Sequence, residues 1–508
     1  MLDVKSVLHG LSWLAPEVAL TAVVLLVIFA EVLCRKDKRP VGFLALVGTL
    51  GALALAAYAW KVWPAAQFCA DAPAGPQAAF GGAIAVDLYA IFFKILFLSA
   101  AAVAIVLTQP VVARWTSGQG EMFALILSCT LGMMLMAGAN DLLMMYLSLE
   151  FASVTSYILA GMRRKDRKSS EASLKYIIYG AAASGMMIYG FSLLYGLTGT
   201  LNVAEIGRVL AQHPEIKPMK TVLISTLVMA GFGYKIAAAP FHMWCPDVYE
   251  GAPTPVTAFF SVGPKAAGFA MLVRFLSGVF QTSTAAPEGG FDWKLVMAVL
   301  AVLTMAVGNF GALQQQNLKR LMAYSSIGHA GYLLLAFTVF RPDNVAAMML
   351  YLVVYVIMNL GAFAIVILLE EKFGIETVDG CRGLGWRAPW LCGLMTLFMI
   401  SLTGLPPTAG FIGKLVLFGQ MIHAGGTFVL TLVVIGVLFS VVSLYYYARI
   451  VGAMFLVRPQ EEEPAPKLAV PAWIVLWLMA AGTVYYGLFP GGLMEITKRA
   501  VDGILNTI

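Results

Sequence analysis

Apolar positions in this chain form long, nearly unbroken runs rather than stripes at helical spacing or the alternation of a half-buried strand. The first, about 11–33, ends in the polar burst Cys34-Arg35-Lys36-Asp37-Lys38-Arg39. Others follow at about 41–60, 84–108, 121–138, 141–161, 173–196, 220–239, 255–280, 293–312, 319–340, 344–370, 391–424, 427–456 and 470–489. Each is long enough to cross a hydrocarbon layer of about 30 Å as a helix. The pattern predicts an all-α polytopic membrane protein of about 14 transmembrane helices. The first run lacks a small-residue cleavage pattern and is read as a retained span. The 391–424 run is broken by Pro406 and Pro407 and cannot be one regular helix.

Composition agrees with this class. Of 508 residues, 60% are hydrophobic and 12% charged, which excludes a soluble globular protein. The net charge of +6 comes from short basic bursts between the runs, so it marks topology and does not suggest nucleic-acid binding. Arg35, Lys36, Arg163, Arg164, Lys165, Arg167, Lys168, Lys319 and Arg320 share one set of loops, the inner ones, which predicts both termini on the outer, periplasmic side of a cell inner membrane. The outer loops 61–83 and 197–219 read as ordered connections, and Pro459–Pro464 as a solvated acidic loop on the inner face. Six scattered cysteines without CxxC, and five scattered histidines, argue against an iron–sulfur cluster, a zinc site or haems, so no metal or cofactor is expected in this chain.

The informative residues are ionisable groups deep in apolar runs, each costly unless it meets water or a partner. Glu150 sits roughly 14 to 16 Å from either end of its predicted helix, near the midplane. Lys265 is at comparable depth. Lys235 precedes Pro240, where the helix should break, and Lys414 follows Pro406-Pro407 in a second broken segment; lipid tolerates such breaks only beside a cavity. Desolvation favours a neutral amine and a nearby carboxylate favours the ammonium, so such a set could relay protons as its partners move. The plainer readings are a static Glu150–Lys235 pair, a tilted helix letting Lys265 escape, and a structural Lys414. His329 and His242 are possible further relay members or packing residues. Asp87 and Lys94, seven residues apart on one face, are expected to pair structurally; Lys175, Lys319, Arg274 and Arg449 are expected to snorkel from helix ends. The methionines of 133–145 read as lipid-facing or core filler.

The stretch Lys235-Ile-Ala-Ala-Ala-Pro240-Phe-His242-Met-Trp244-Cys-Pro246-Asp247-Val-Tyr249-Glu250-Gly251-Ala-Pro253-Thr-Pro255, followed by Ser261-Val-Gly-Pro264-Lys265, resembles the antiporter-like membrane subunits of proton-pumping NADH:quinone oxidoreductase, respiratory complex I. Its Pro-Asp-Val-Tyr-Glu-Gly-Ala-Pro form is most similar to the subunit N branch. Leu14-Ala-Pro16-Glu17, Ser169-Ser-Glu171-Ala-Ser-Leu-Lys175-Tyr176, Asn317-Leu-Lys319-Arg320 through Ser325-Ser326-Ile-Gly-His329, and Gly404-Leu-Pro406-Pro407-Thr-Ala-Gly410-Phe411 carry the likeness along nearly the whole chain.

The resemblance implies three N-terminal helices (1–110), two inverted five-helix repeats (111–285 and 286–457) and a last span with a short tail (458–508). It would make Glu150 and Lys235 the coupling pair, Lys265 the central relay lysine and Lys414 the lysine near the exit. It further implies a translocase subunit without its own redox chemistry. FMN, iron–sulfur clusters and quinone would belong to partner subunits, and small K- and J-type subunits and antiporter-like subunit M would be neighbours. An Mrp-type cation/proton antiporter subunit, subunit M of the same complex, or an inert scaffold are the alternatives.

Overall fold

A computed structural model describes residues 11–34, 39–66, 77–115, 118–213, 218–280, 293–458 and 469–505. The acidic loop Pro459–Pro464 and the inner-loop residues Arg35, Lys36 and Lys38 lie outside the described residues. The helices are α1 Ala15–Leu33, α2 Arg39–Ala66, α3 Leu88–Val112, α4 Gln119–Gly138, α5 Leu142–Ala160, α6 Arg167–Thr198, α7 Val203–Gln212, α8 Pro218–Ile236, α9 Trp244–Gly251 and α10 Thr254–Phe280. They continue with α11 Trp293–Leu313, α12 Leu318–Leu334, α13 Pro342–Phe373, the single turn α14 Leu384–Arg387, α15 Pro389–Thr403, α16 Ala409–Ala424, α17 Thr427–Phe455, α18 Val470–Leu488 and α19 Gly491–Leu505. Among the described residues, 11 helices are long and apolar enough to cross a membrane, with shorter apolar helices at Val222–Ile236, Pro389–Thr403 and Ala409–Ala424. The all-helical, multi-pass reading holds.

Several helices start where the sequence supplies a capping oxygen. Asp87, Asp141, Asn202 and Asn317 each accept a backbone N–H of the following first turn. The core is the antiparallel pair α10 and α13, buried along most of their length, around which the other helices pack. Met133, Met134, Met136 and Met145 are fully buried, which makes that run core filler rather than a lipid face. By contrast α1, α2, α17 and α18 keep broad apolar faces exposed, as lipid or a neighbouring chain requires. At the α11–α12 crossing, a Cβ on Gly308 would fall 2.3 Å from the Gly328 nitrogen, so the two backbones touch.

Three features are not legible as apolar runs. A two-stranded antiparallel hairpin, β1 Gln77–Ala79 and β2 Ile84–Val86, pairs Gln77 with Val86 and turns through Phe80, Gly81 and Gly82 at positive φ. Helix α7 buries Val203, Ile206 and Gly207 against α10. The tail after Phe489 is not a bare extension: α19 buries Leu493, Thr497, Ala500, Val501 and Ile504 and lies across α13 and α3.

The charges near helix ends depart from expectation. Asp87 does not pair with Lys94. Its carboxylate is gripped by both terminal nitrogens of Arg274 at 3.0 Å, while Lys94 binds Glu17 of α1 at 2.6 Å. The seven-residue spacing places Asp87 and Lys94 on one face, yet a partner from another helix lies closer to each. Arg274 therefore does not snorkel; it is buried, and its Nε also donates to the Ala137 carbonyl. Lys319 is likewise buried, donating to the Ala252 carbonyl at 3.3 Å, with Glu370 at 3.9 Å. Arg449 donates to the Leu313 carbonyl at 3.0 Å, tying α17 to the end of α11.

Candidate functional site

Two of the predicted spans are interrupted where the prolines stand. The first break separates α8 from α9 at residues 237–243 and the second separates α15 from α16 at 404–408. Proline lacks the N–H that continues the helix, and each break leaves carbonyls to be satisfied. At the first, Ala238 N–H donates to Gly233 at 2.7 Å, Ala237 N–H and Trp244 Nε1 both donate to Tyr234, and Ala239 N–H is taken by the Thr304 hydroxyl at 2.9 Å. Trp244 also stacks on Tyr176 at 4.4 Å between centroids, pinning α9 to α6. At the second, Leu405 N–H returns to Ile400, but the Leu402 and Thr403 carbonyls receive the Lys414 ammonium at 3.3 and 2.7 Å.

All three depth lysines are buried: Lys235 and Lys265 at 2% exposure and Lys414 at 5%. Among the described residues none of them has a carboxylate partner. Lys235, in the last turn of α8, donates to Ser153 Oγ at 3.0 Å. Glu150 lies one turn before Ser153 on α5, on the flank of a face where Leu143, Leu147, Val154 and Ile158 are exposed. Glu150 and Lys235 make no ion pair among the described residues, and Glu150 Oε1 is buried without a hydrogen-bond partner. Ser153, one turn along from Glu150, is the partner that Lys235 takes.

Lys265 donates to the Ser326 carbonyl at 2.8 Å and also to Ser326 Oγ. Tyr355 of α13 donates to that same Oγ at 2.8 Å. The adjacent Ser325 hydroxyl bonds to Tyr447, which lies 3.2 Å from His329 Nε2; His329 Nδ1 lies 2.7 Å from the Tyr351 hydroxyl. His329 is therefore held on both ring nitrogens by phenols, each able to donate or accept according to the tautomer. Lys414 donates further to Ser440 Oγ at 2.7 Å and stands 4.7 Å above the Tyr332 ring. Tyr332 in turn takes part in the Asn309–Tyr446 contacts, in which Tyr446 donates to Asn309 Oδ1 at 3.2 Å. His242 joins none of this: it lies in the first break, and its Nδ1 has no hydrogen-bond partner.

Five residues at the centre, Ser153, Ser326, Tyr355, Tyr351 and Tyr447, escape a search for ionisable groups because hydroxyls are common in apolar helices. Ser326 has a signal in the sequence, since it stands three residues before His329 in the Asn317–His329 stretch. Such a set can accept, hold and pass a proton between uncharged neighbours. Among the described residues no group of three or more His, Cys, Asp or Glu side chains converges as a metal site would need, and five cysteines are free.

One membrane face carries a dense set of ion pairs. Asp247 of α9 binds Lys175 and Arg320, each at 2.6 Å; Glu250 binds Arg320 at 3.3 Å and Lys168 at 3.4 Å. Glu370 at the end of α13 binds Arg163 at 3.2 Å and accepts from Thr254, and Glu371 binds Arg114 at 2.7 Å. Burial alone would raise the Asp247 carboxyl, but the hydrogen bonds from Lys175 and Arg320 outweigh it and hold it below the usual carboxylate range.

Residues 139–440 match the family described as NADH:quinone oxidoreductase/Mrp antiporter, transmembrane. The NADH-quinone oxidoreductase subunit N 2 of Sorangium cellulosum is 45% identical, with 97% of each chain covered. A chain in the structure of respiratory complex I from Thermus thermophilus with bound aureothin superposes with a TM-score of 0.75 at 33% identity, over 94% of this chain and 98% of that one. A chain of the Mrp complex from Dietzia sp. DQ12-45-1b gives a TM-score of 0.81 over 97% of both, but at 19% identity it speaks only for the shared fold. The chain therefore belongs to the antiporter-like membrane subunits of NADH:quinone oxidoreductase, in the subunit N branch.

Proposed function

We propose that this chain translocates protons in the membrane arm of NADH:quinone oxidoreductase, through Glu150, Lys235, Lys265 and Lys414, with His329 as a bridging group. The observation that carries this is the buried line Lys265–Ser326–Tyr355 beside Ser325–Tyr447–His329–Tyr351, which lies between two broken helices. A buried lysine bound only to uncharged oxygens is poised to change protonation when its surroundings shift, whereas a lysine locked to a carboxylate is not. Glu150 stands one turn before Ser153, the partner of Lys235, and so belongs to the same site. His242 is a weaker candidate, since nothing donates to it or accepts from it at Nδ1.

In this reading the chain performs no redox step. FMN, iron–sulfur clusters and quinone sit in partner subunits, and quinone reduction there drives the relay. The exposed faces of α5 and α6 receive small K- and J-type membrane subunits, antiporter-like subunit M abuts another flank, and the remaining apolar faces meet lipid. The chain divides into three N-terminal helices, two inverted five-helix repeats and the last span, with each break in the fourth helix of its repeat. The face bearing Arg163, Lys319 and Glu370 is the inner, cytoplasmic one, and both termini lie outside.

The test is NADH-driven proton pumping by the assembled complex carrying Lys265→Met or Glu150→Gln. Both changes should depress pumping strongly; normal pumping in both would refute the relay. An Mrp-type exchanger has the same fold, and sodium–proton exchange by the purified chain without flavin or iron–sulfur partners would favour that reading.

A further inference from the structure

Gly413 is the residue of α16 that precedes Lys414, and it is buried where α16 packs on α13. A Cβ at this position would overlap Tyr351 Cδ2 and fall 3.2 Å from Cε2 and 3.5 Å from Cγ. Near-equal distances to the two flanking carbons place that methyl at the rim of the ring and in its plane, along the Cδ2–H bond. The edge of Tyr351 therefore rests directly on the α16 backbone. The helix that carries Gly413 is itself held. Gly410 N–H donates to Ser401 Oγ at 3.1 Å, and a Cβ on Gly410 would overlap the Ser401 carbonyl of α15. A Cβ on Gly487 of α18 would overlap the Pro407 carbonyl just before α16, and Lys414 binds the Leu402 and Thr403 carbonyls. With backbones touching on these sides there is no side chain to re-pack, so a methyl at 413 has to be relieved by Tyr351.

Tyr351 is fully buried, and its hydroxyl lies 2.7 Å from His329 Nδ1. Two movements could free the ring edge, and each disturbs that bond. Swinging the side chain about its Cα moves the hydroxyl farther than Cδ2, since the oxygen lies at the end of the lever. Turning the ring about its long axis leaves the oxygen in place but tilts the plane in which a phenol O–H lies, and a hydrogen bond weakens steeply as its angle bends. Glycine at 413 avoids both. The other ring nitrogen, Nε2, lies 3.2 Å from the Tyr447 hydroxyl. A neutral imidazole donates from one nitrogen and accepts at the other, so the two phenols together select its tautomer. Tyr355 and Tyr332 face the imidazole at 5.0 and 5.8 Å between centroids, and the charged groups acting on it are Lys414 and Lys265.

We propose that Gly413 is a positioning residue for the relay: it seats the Tyr351 phenol on His329 Nδ1 and thereby fixes the tautomer in which the imidazole rests. The inference rests on His329 being a bridging group. Gly413 touches no proton itself and acts only through the ring that lies on it.

The experiment compares Gly413→Ala, Tyr351→Phe, the two combined, and His329→Gln in the assembled complex, reading NADH-driven proton translocation as a function of pH. Gly413→Ala and Tyr351→Phe should each lower translocation several-fold and shift its pH profile in the same way. In the combined variant the alanine should add nothing to the loss already caused by phenylalanine, because both remove one and the same bond. Phenylalanine keeps the ring edge, so a further loss in the combined variant would mean crowding alone and overturn the proposal. Where Gly413→Ala does not assemble, adding Tyr351→Val takes the ring edge away and should restore assembly; failure to restore it overturns the seat. If His329→Gln loses translocation while Gly413→Ala or Tyr351→Phe matches the wild type, the seat is overturned and the bridging role stands. If His329→Gln itself translocates normally, the bridging reading falls and the seat with it.

Discussion

The two helix breaks solve one problem in opposite ways. At Pro240 the freed carbonyls are closed by backbone N–H groups and the Trp244 indole, so Lys235 has no structural duty there and its single bond goes to Ser153 on another helix. At Pro406-Pro407 the lysine itself is the closure: Lys414 reaches back to Leu402 and Thr403, adds Ser440, and lies over Tyr332. A lysine with one neutral partner changes company easily, whereas one that caps a helix end cannot leave without stranding the Leu402 carbonyl and leaving that of Thr403 to the Ser440 hydroxyl alone. The lysines at the two breaks are therefore held with different amounts of restraint.

The largest effect should come from Lys414→Met. It leaves the Leu402 carbonyl without a partner, at a cost of about 1–3 kcal/mol, and the Thr403 carbonyl with the Ser440 hydroxyl alone. The denaturation midpoint of the purified complex should drop well below that of Lys235→Met, which loses one bond to a hydroxyl. Equal midpoints would erase the contrast. Next comes Thr304→Val, which unpairs the Ala239 N–H at the first break and should destabilise by about 1–3 kcal/mol without touching a relay lysine. If α11 tolerates it without loss, the first break is closed in some other way.

Removing the ring under Lys414 is a smaller change. Tyr332→Leu should cost about 0.5–2 kcal/mol and alter the pH profile of pumping, while Tyr332→Phe keeps the ring face and should resemble the wild type. Identical behaviour of the two variants would show that the aromatic face is not used.

The smallest effect concerns the ion pairs at the charged face, which neither break uses. The folded-state value of Asp247 is depressed, so its stabilising contribution is complete above the unfolded carboxylate range near ~4 and is lost as pH falls through the folded value. The difference in midpoint between wild type and Asp247→Asn should be constant from pH ~8 to ~5 and shrink below ~4. A difference that instead grew in acid would reverse the assignment.

The sequence made the helical spans, both proline breaks and the burial of Lys235, Lys265 and Lys414 readable, because each is a property of position along one helix. It was poor at lateral neighbours. Asp87 and Lys94 share a face, but Arg274 lies 187 residues from Asp87 and Glu17 arrives from the first helix, and neither contact leaves a periodic trace. The hydroxyl partners were hidden for another reason: Ser153, Ser326 and Tyr355 are unremarkable in composition and acquire meaning only when a lysine from another helix points at them. Helices α7 and α19 were missed because each buries only one narrow face, which is too little for a hydropathy run.

The crossing of α11 and α12 has a mechanical consequence. Where Gly308 meets the Gly328 backbone there are no side chains to re-pack, so the contact has no soft coordinate and works as a bearing rather than a spring. Ser325, Ser326 and His329 ride within a turn of that bearing. The Ser326 end of the Lys265 bond is thereby held on a helix locked to its neighbour, while the Lys265 end belongs to α10.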